Sequence, residues 1–318
     1  MDQHSNFQFD LPQYQELYAQ YDQQHKAVWC YFNPRSRACF TPDLLDDISD
    51  LQDRLTNLCE RSSEARDQIR YFVSASANPA VFGFGGDLGL FADLITAGDK
   101  EGLRAYGYRC VENVLANWLH LGQPGLTTIS LVQGKALGGG FEAALSSNIL
   151  VAERSAQFGF PEIMFNLFPG MGAYSFLVRR VDPITAERLL RDGQQHSAEE
   201  LYKMGIIDVL AEDGEGVHAV CNYIRHHQRA RNGLNAIRQL REWHQPLTRG
   251  ELRRIVDLWV DAALQVAVRD LRTMARLASS QQRLAENRPA KRVERQSEPV
   301  VTVVPSTLQP QEKIAVAS

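Results

Sequence analysis

Paired cysteines are missing from this chain. Its five cysteines, Cys30, Cys39, Cys59, Cys110 and Cys221, are scattered and include no CxxC pair. An odd count also argues against a disulfide framework, so free thiols are expected. Long apolar runs are missing too: nowhere do 18 consecutive apolar residues occur, and a membrane span needs about that many. The opening MDQHSNFQFD lacks the basic, apolar and small-residue order of a secretion signal. No excess of positive charge stands out, because 34 Lys and Arg face 38 Asp and Glu for a net charge of -4. Nucleic acid is therefore not an expected partner. A cytoplasmic protein with no membrane span follows as the expectation.

Several familiar chemistries are absent as well. There is no GxGxxG, no GxxxxGK followed by Ser or Thr, no HExxH and no GxSxG, which removes the usual fingerprints for dinucleotides, nucleoside triphosphates, zinc and a serine nucleophile. His226 and His227 are adjacent rather than spaced as ligands, so no metal is expected. What is present is ordinary globular composition, 44% hydrophobic and 23% charged over 318 residues, enough to bury a sizeable core.

Along the chain, strand-like and helix-like segments alternate. AVWCYF (27–32) reads as a buried strand, and TPDLLDDISDLQDRLTNL (41–58) as a helix capped by Thr41 with Pro42 behind it. IRYFVSAS (69–76) is a second strand, residues 88–121 are mostly helical, and LTTISLVQ (126–133) is a third strand. NILVAE (148–153) and GIIDVL (205–210) read as further strands, with ITAERLLRDG between them as a helix closed by Gly193. Such alternation predicts an α/β fold with mainly parallel sheets. From about residue 215 the pattern is helical: Leu252, Ile255, Val256, Trp259, Ala263 and Val266 share one apolar face, while Arg253, Arg254, Asp257 and Asp261 fall off it. The expected organisation is an N-terminal extension over 1–20, a core over 21–214, a C-terminal helical region over 215–284, and a disordered tail over 285–318 rich in Pro, Ser, Gln and charge.

Two glycine clusters interrupt this pattern, VFGFGGDL (81–88) and VQGKALGGGFEAAL (132–145). Each follows a strand and precedes a helix. Glycine there lets a ligand approach the main chain, and unpaired N–H groups at a helix start favour an oxyanion. Neighbouring strands of a parallel sheet would bring both turns to one edge.

The stretch VQGKALGGGFEAALSSNILVAERSAQFGFPEIMFNLFPGMGA resembles the signature region of the crotonase (enoyl-CoA hydratase/isomerase) superfamily, and the glycine turn near residue 83 resembles that family's first oxyanion segment. The likeness extends over roughly residues 20–270 and is firmest over 69–210. It implies a crotonase-like ββα superhelix. It also implies that the N–H groups of Gly83 and Gly139 form an oxyanion hole, flanked by Gly138 and Gly140, with Glu142 and Glu162 as catalytic acids. A thioester carbonyl held by two amides makes the adjacent C–H acidic, and two carboxylates can share a β-elimination; one carboxylate could equally direct water at the carbonyl. No cofactor is implied, only a substrate carried as a phosphopantetheine or CoA thioester.

The chain departs from a plain hydratase in two places. The CoA-contacting segment, usually close to NALN in the family, reads NPRSRACFTPDLL. Near the second acid, Phe160, Met164, Phe165, Phe168 and Met171 could line a long acyl pocket, although such residues more often form core. These departures look most like the diffusible-signal-factor synthases, which dehydrate a 3-hydroxyacyl group on acyl carrier protein and release a cis-2-unsaturated fatty acid used in quorum sensing. The alternatives are a CoA-dependent hydratase or isomerase of fatty-acid metabolism, and a non-catalytic regulatory binding protein. The resemblance further implies a homotrimer or hexamer and leaves room for a regulatory sensor protein as partner. Asp87 reads as a turn residue. The eight arginines between Asn222 and Arg254 read as a solvated face that would suit an acidic carrier protein.

Overall fold

The computed structural model describes residues 7, 9–33 and 37–286. All but the first two residues of the expected tail lie outside them, as do residues 1–6 and 8 of the expected extension. The first strands, β1 (Leu17–Asp22) and β2 (Ala27–Phe32), form an antiparallel hairpin, so the extension runs into the sheet rather than preceding it. α1 (Pro42–Arg61) follows, with Leu44, Ile48, Leu51, Leu55 and Cys59 on its buried side, and then α2 (Ser63–Gln68).

Three units of the same kind come next. The first is β3 (Tyr71–Ser76), β4 (Val81–Gly83), α3 (Leu88–Ala97) and α4 (Lys100–Trp118). Its successor is β5 (Thr127–Val132), β6 (Lys135–Leu137) and α5 (Gly139–Leu145). The third is β7 (Ile149–Glu153), β8 (Gln157–Gly159), α6 (Ala173–Leu177) and α7 (Pro183–Arg191). After β9 (Gln195–Ser197), α8 (Ala198–Lys203) and β10 (Val209–Ala211), the chain continues through α9 (Gly216–His244), α10 (Arg249–Ala263) and α11 (Val268–Glu286).

In each unit the first strand joins a six-stranded sheet ordered β1-β2-β3-β5-β7-β10, and the second joins a four-stranded sheet ordered β4-β6-β8-β9. Pairing is parallel throughout except at β1–β2 and β8–β9. The mainly parallel α/β fold expected from the strand and helix alternation is therefore present. Both faces of the larger sheet are covered, which is why β5 is buried at every position. On one face Val28, Cys30 and Phe72 meet the core that includes α1 and α4, and on the other Trp29, Tyr71, Val73, Ile129 and Val151 meet Val220 and Ile224 of α9.

Three features differ from the sequence reading. The four strands of the smaller sheet are three residues each, too short for alternation to mark them. GIIDVL is extended only from Val209, because Gly205 at φ 77° closes α8 and the Ile206 N–H bonds back to the Leu201 carbonyl at 2.9 Å. The helices after 215 pack into the same compact unit as the strands, α9 covering one face of the larger sheet through Val220 and Ile224, which periodicity alone does not show.

Thr41 caps α1 as expected, its Oγ1 accepting from Leu44 N–H at 3.2 Å. Thr41→Ala should lower stability by about 1 kcal/mol, read as a drop in the urea midpoint at unchanged slope.

Candidate active site

Because β4, β6 and β8 are adjacent and parallel, the turns leaving their C-terminal ends lie side by side. Those turns carry Gly85 and Gly86, Gly138 and Gly139, and Glu162. Their backbones touch: a methyl group on Gly85 would meet Gly139 N at 2.7 Å, and one on Gly139 would reach Gly85 Cα at 3.2 Å and Gly86 N at 3.4 Å. Gly85 sits at φ 91° and Gly138 at φ 54°, conformations that side chains other than hydrogen disfavour.

Gly139 opens α5, so its N–H has no partner within the helix. Neither it nor the Gly86 N–H donates to another group among the described residues. The two glycines border one cavity of about 590 Å³ that Glu142 and Glu162 also line. The turn before Gly86 is held from outside: Phe40 N–H donates to Gly85 O and Phe84 N–H to Ala38 O, each at 2.8 Å. Asp87 then caps α3, accepting from Gly89 and Leu90 N–H at 3.1 Å, and pairs with Arg37 at 2.6 Å, the turn role expected of it. Asp87→Ala should cost roughly 1–3 kcal/mol, read by denaturant titration, with Asp87→Asn retaining most of the cap.

The two acids are held differently. Glu142 is 1% exposed, and its Oε1 accepts from Met171 and Ala173 N–H at 2.8 and 2.9 Å. Burial pushes its pKa up to about 7 against these amides, which favour the charged form. Glu162 stands in a 3-10 turn over Pro161–Phe165 that ends at Asn166, φ 60°. The residue as a whole is only partly buried, yet its Oε2 is shut off from solvent with no hydrogen-bond partner. Burial first, and then the charge of Glu142, push its pKa up to about 8. One cavity thus holds two coupled carboxyls, both pushed towards the neutral form but differing in support: two amides favour the charged form of Glu142, while the buried Oε2 of Glu162 has no donor.

The sequence profile described as enoyl-CoA hydratase/isomerase matches residues 63–255, which takes in both glycine turns and both acids. The chain belongs to the enoyl-CoA hydratase/isomerase family. Its curated relatives include cyclohexa-1,5-dienecarbonyl-CoA hydratase of Thauera aromatica, 43% identical over 84 residues, 26% of this chain and 32% of that one. Fatty acid oxidation complex subunit alpha of Pseudomonas syringae is 30% identical over 138 residues, 43% of this chain and 18% of that one. The matched segments thus span no more than about a third of these two relatives' own lengths. Among solved structures, Pseudomonas aeruginosa DspI superposes with a TM-score of 0.62 and 25% identity over 80% of this chain and 98% of that chain.

Within this family fold, some residues singled out in the sequence lie elsewhere. Gly83 is not at the cavity: it ends β4 opposite Ala136, packed so tightly on Gly140 that a methyl on Gly140 would overlap the Gly83 carbonyl. Gly86, three residues later, occupies the place assigned to Gly83, because the chain must leave the β4 ladder before an N–H becomes free. Phe160 is 1% exposed and stacks on Phe141 in the core at 4.9 Å, and Met164 is 55% exposed on the far side of its turn. Phe165, Phe168 and Met171 do line the cavity, and Met171 Cε lies against Gly139. Gly138 borders Glu162, leaving no room for a Cβ there.

Sequence reading missed most of the apolar wall: Phe84, Leu88, Phe91, Tyr106 and Trp259 all line the cavity. Gly86 carried a usable signal, since it directly precedes the Asp87 helix cap. Trp259 carried only its place on an apolar helix face. Its ring meets Phe91 at 4.9 Å, a contact 168 positions apart that periodicity does not encode.

Proposed function

We propose that this cavity dehydrates a 3-hydroxyacyl thioester and then hydrolyses the thioester, releasing a 2-unsaturated fatty acid of the diffusible-signal class. The observation that carries the reading is the pair of unequal acids, Glu142 and Glu162, beside the free N–H groups of Gly86 and Gly139. The thioester oxygen lies between those N–H groups, so removal of the α-proton leaves an enolate whose charge they stabilise. One acid accepts the α-proton, the other protonates the β-hydroxyl, and water departs. The pair's single proton starts on Glu142 and ends on Glu162: ionised Glu162 takes the proton from carbon, Glu142 gives its proton to the departing hydroxyl, and the pair finishes with Glu142 ionised beside its two amides and Glu162 neutral. In the second step Glu142 directs a water at the same carbonyl, and the thiol of phosphopantetheine leaves. The aromatic and aliphatic wall supplies room for a hydrocarbon chain.

Because the pair must hold one proton, turnover should follow a bell-shaped pH profile. Below about 7 both acids are protonated and no base remains, and above about 8 both are ionised and no acid remains. The maximum is expected between these limits, and the residual profile of Glu162→Gln should flatten on the acid side, because only a protonated Glu142 is then required. A steady-state profile of kcat between pH 5 and 10 checks it.

A second reading, a CoA-linked hydratase of fatty-acid metabolism, is favoured by the curated relatives. Incubation with matched 3-hydroxyacyl carrier protein and 3-hydroxyacyl-CoA, read by mass spectrometry, separates the two. Unsaturated thioester and free acid from the carrier-protein substrate support the first reading. Hydration and dehydration of the CoA thioester alone, without free acid, support the second.

A further inference from the structure

A second cavity lies at the N-terminal ends of strands of the larger sheet and shares no lining residue with the cavity of the two acids. It opens between α9 and the starts of β5 and β7, spans about 550 Å³ including its open mouth, and is lined by Arg238 and Arg241 together with Tyr223, Ile149, Leu234 and Ile237. Its charges do not balance. Arg238 is buried and clamped, donating to the Leu126 and Pro124 carbonyls at 2.7 and 2.6 Å and to Asn148 Oδ1 at 3.2 Å. This contradicts the expectation that all eight arginines of the region form a solvated face. Asp208, also at the cavity, is already engaged by Arg180 at 3.0 Å and Leu150 N–H at 2.7 Å. Glu242 lies 3.7 Å from both Arg238 Nε and His120 Nδ1.

Arg241 is left over. Its guanidinium rests on the Trp118 ring at 5.9 Å, and no carboxylate or hydrogen-bond acceptor pairs with it among the described residues. Burial and the neighbouring charge of Arg180 pull its pKa below the usual guanidinium range, against the more distant charges of Asp208 and Glu242. The Nε atoms of Arg180, Arg238 and Arg241 are all buried without a hydrogen-bond partner. Three arginines thus share two acids, Asp208 and Glu242, which leaves one positive charge of this partly buried cluster unbalanced.

We propose that this cavity binds a carboxylate that carries an apolar chain, with Arg241 as its ion-pair partner and Ile149, Leu234 and Ile237 against the chain. A carboxylate supplies the one missing negative charge and matches the guanidinium fork. Leu234 and Ile237 are 39% and 63% exposed at the mouth, giving a hydrocarbon tail apolar surface that a mineral anion would not use. The site does not depend on the reaction proposed above, since none of its residues lines the catalytic cavity.

The test is calorimetric titration of the full chain with octanoate, with octanol and inorganic phosphate as controls. Octanoate should bind with an affinity that falls with added salt and drops at least tenfold in Arg241→Met, which keeps the stem on Trp118. Arg241→Lys should retain most binding. Ile237→Glu, at an exposed position that tolerates change, should weaken binding similarly by placing a like charge at the mouth. Turnover of the acyl thioester should be unchanged in all three variants. Equal titrations of wild type, Arg241→Met and Ile237→Glu would overturn the site. Octanol binding as tightly as octanoate removes the role of Arg241, and phosphate binding as tightly removes the role of the chain.

Discussion

Glu162→Gln should lower kcat for dehydration by about 10³-fold or more, and Glu142→Gln by a similar factor, since each removes one end of a paired proton transfer. Glutamine suits both positions. At Glu142 the amide oxygen can still accept from Met171 and Ala173 N–H, whereas alanine would leave two buried donors unpaired, at roughly 1–3 kcal/mol each. The double variant should lose little beyond either single variant, because the acids act as one unit. If thioester hydrolysis uses Glu142 to direct water, Glu142→Gln loses both steps while Glu162→Gln retains measurable hydrolysis of a preformed unsaturated thioester. Wild-type turnover in either variant would return the chain to the non-catalytic binding reading.

The same substitutions have a stability signature of defined sign. The folded-state pKa of Glu162 is raised to about 8 from a usual 4.5, so the folded protein holds a proton that the unfolded chain releases. Stability associated with this group is fully present below pH 4.5 and is lost as pH rises towards 8. Glu162→Gln does not titrate, so it should match wild type near pH 4.5 and exceed it by about 1–3 kcal/mol near pH 8.5. Chemical denaturation at the two pH values measures this. An active-site acid retained at a cost in stability is what a catalytic role, and not a packing role, predicts.

The family resemblance singled out Glu142, two positions after the triple glycine, and Glu162, directly after Pro161, and the two do line one cavity. Sequence pattern located the larger sheet because β2, β3 and β5 are long and apolar. Short-range pattern failed where the answer depends on where a turn begins. Gly83 and Gly86 belong to one cluster, and only the β4–β6 ladder shows that the first is still paired in the sheet. The same holds for facing direction: Phe160 and Phe165 are both buried aromatics, yet a 3-10 turn of five residues puts one on Phe141 and the other in the cavity. Arg238 and Arg241 read as surface charge because their buried contacts lie some 90 or more positions away in sequence, at Leu126, Pro124 and Asn148 for Arg238 and at Trp118 for Arg241.

Gly139→Ala should reduce kcat by roughly 10²–10³-fold, the loss typical of removing an oxyanion donor, without unfolding the protein. Gly139 does not require a positive φ, so alanine is allowed by its backbone. The added methyl has no free space, however: it would stand 2.5 Å from Met171 Cε, 3.2 Å from Gly85 Cα and 3.4 Å from Gly86 N. Met171 is flexible and can swing away, but the glycine backbones opposite cannot, so the two free N–H groups must separate. A thioester oxygen can then reach one of them and not both. That deficit grows as charge develops on the oxygen, so kcat should fall far more than KM rises. Gly233→Ala serves as the control, since α9 leaves open space around Gly233; it should raise stability by about 0.5–1 kcal/mol and leave kcat unchanged. If Gly139→Ala instead keeps kcat within threefold of wild type while melting normally, the carbonyl is not held between Gly86 and Gly139. The two acids would then have no enolate to serve.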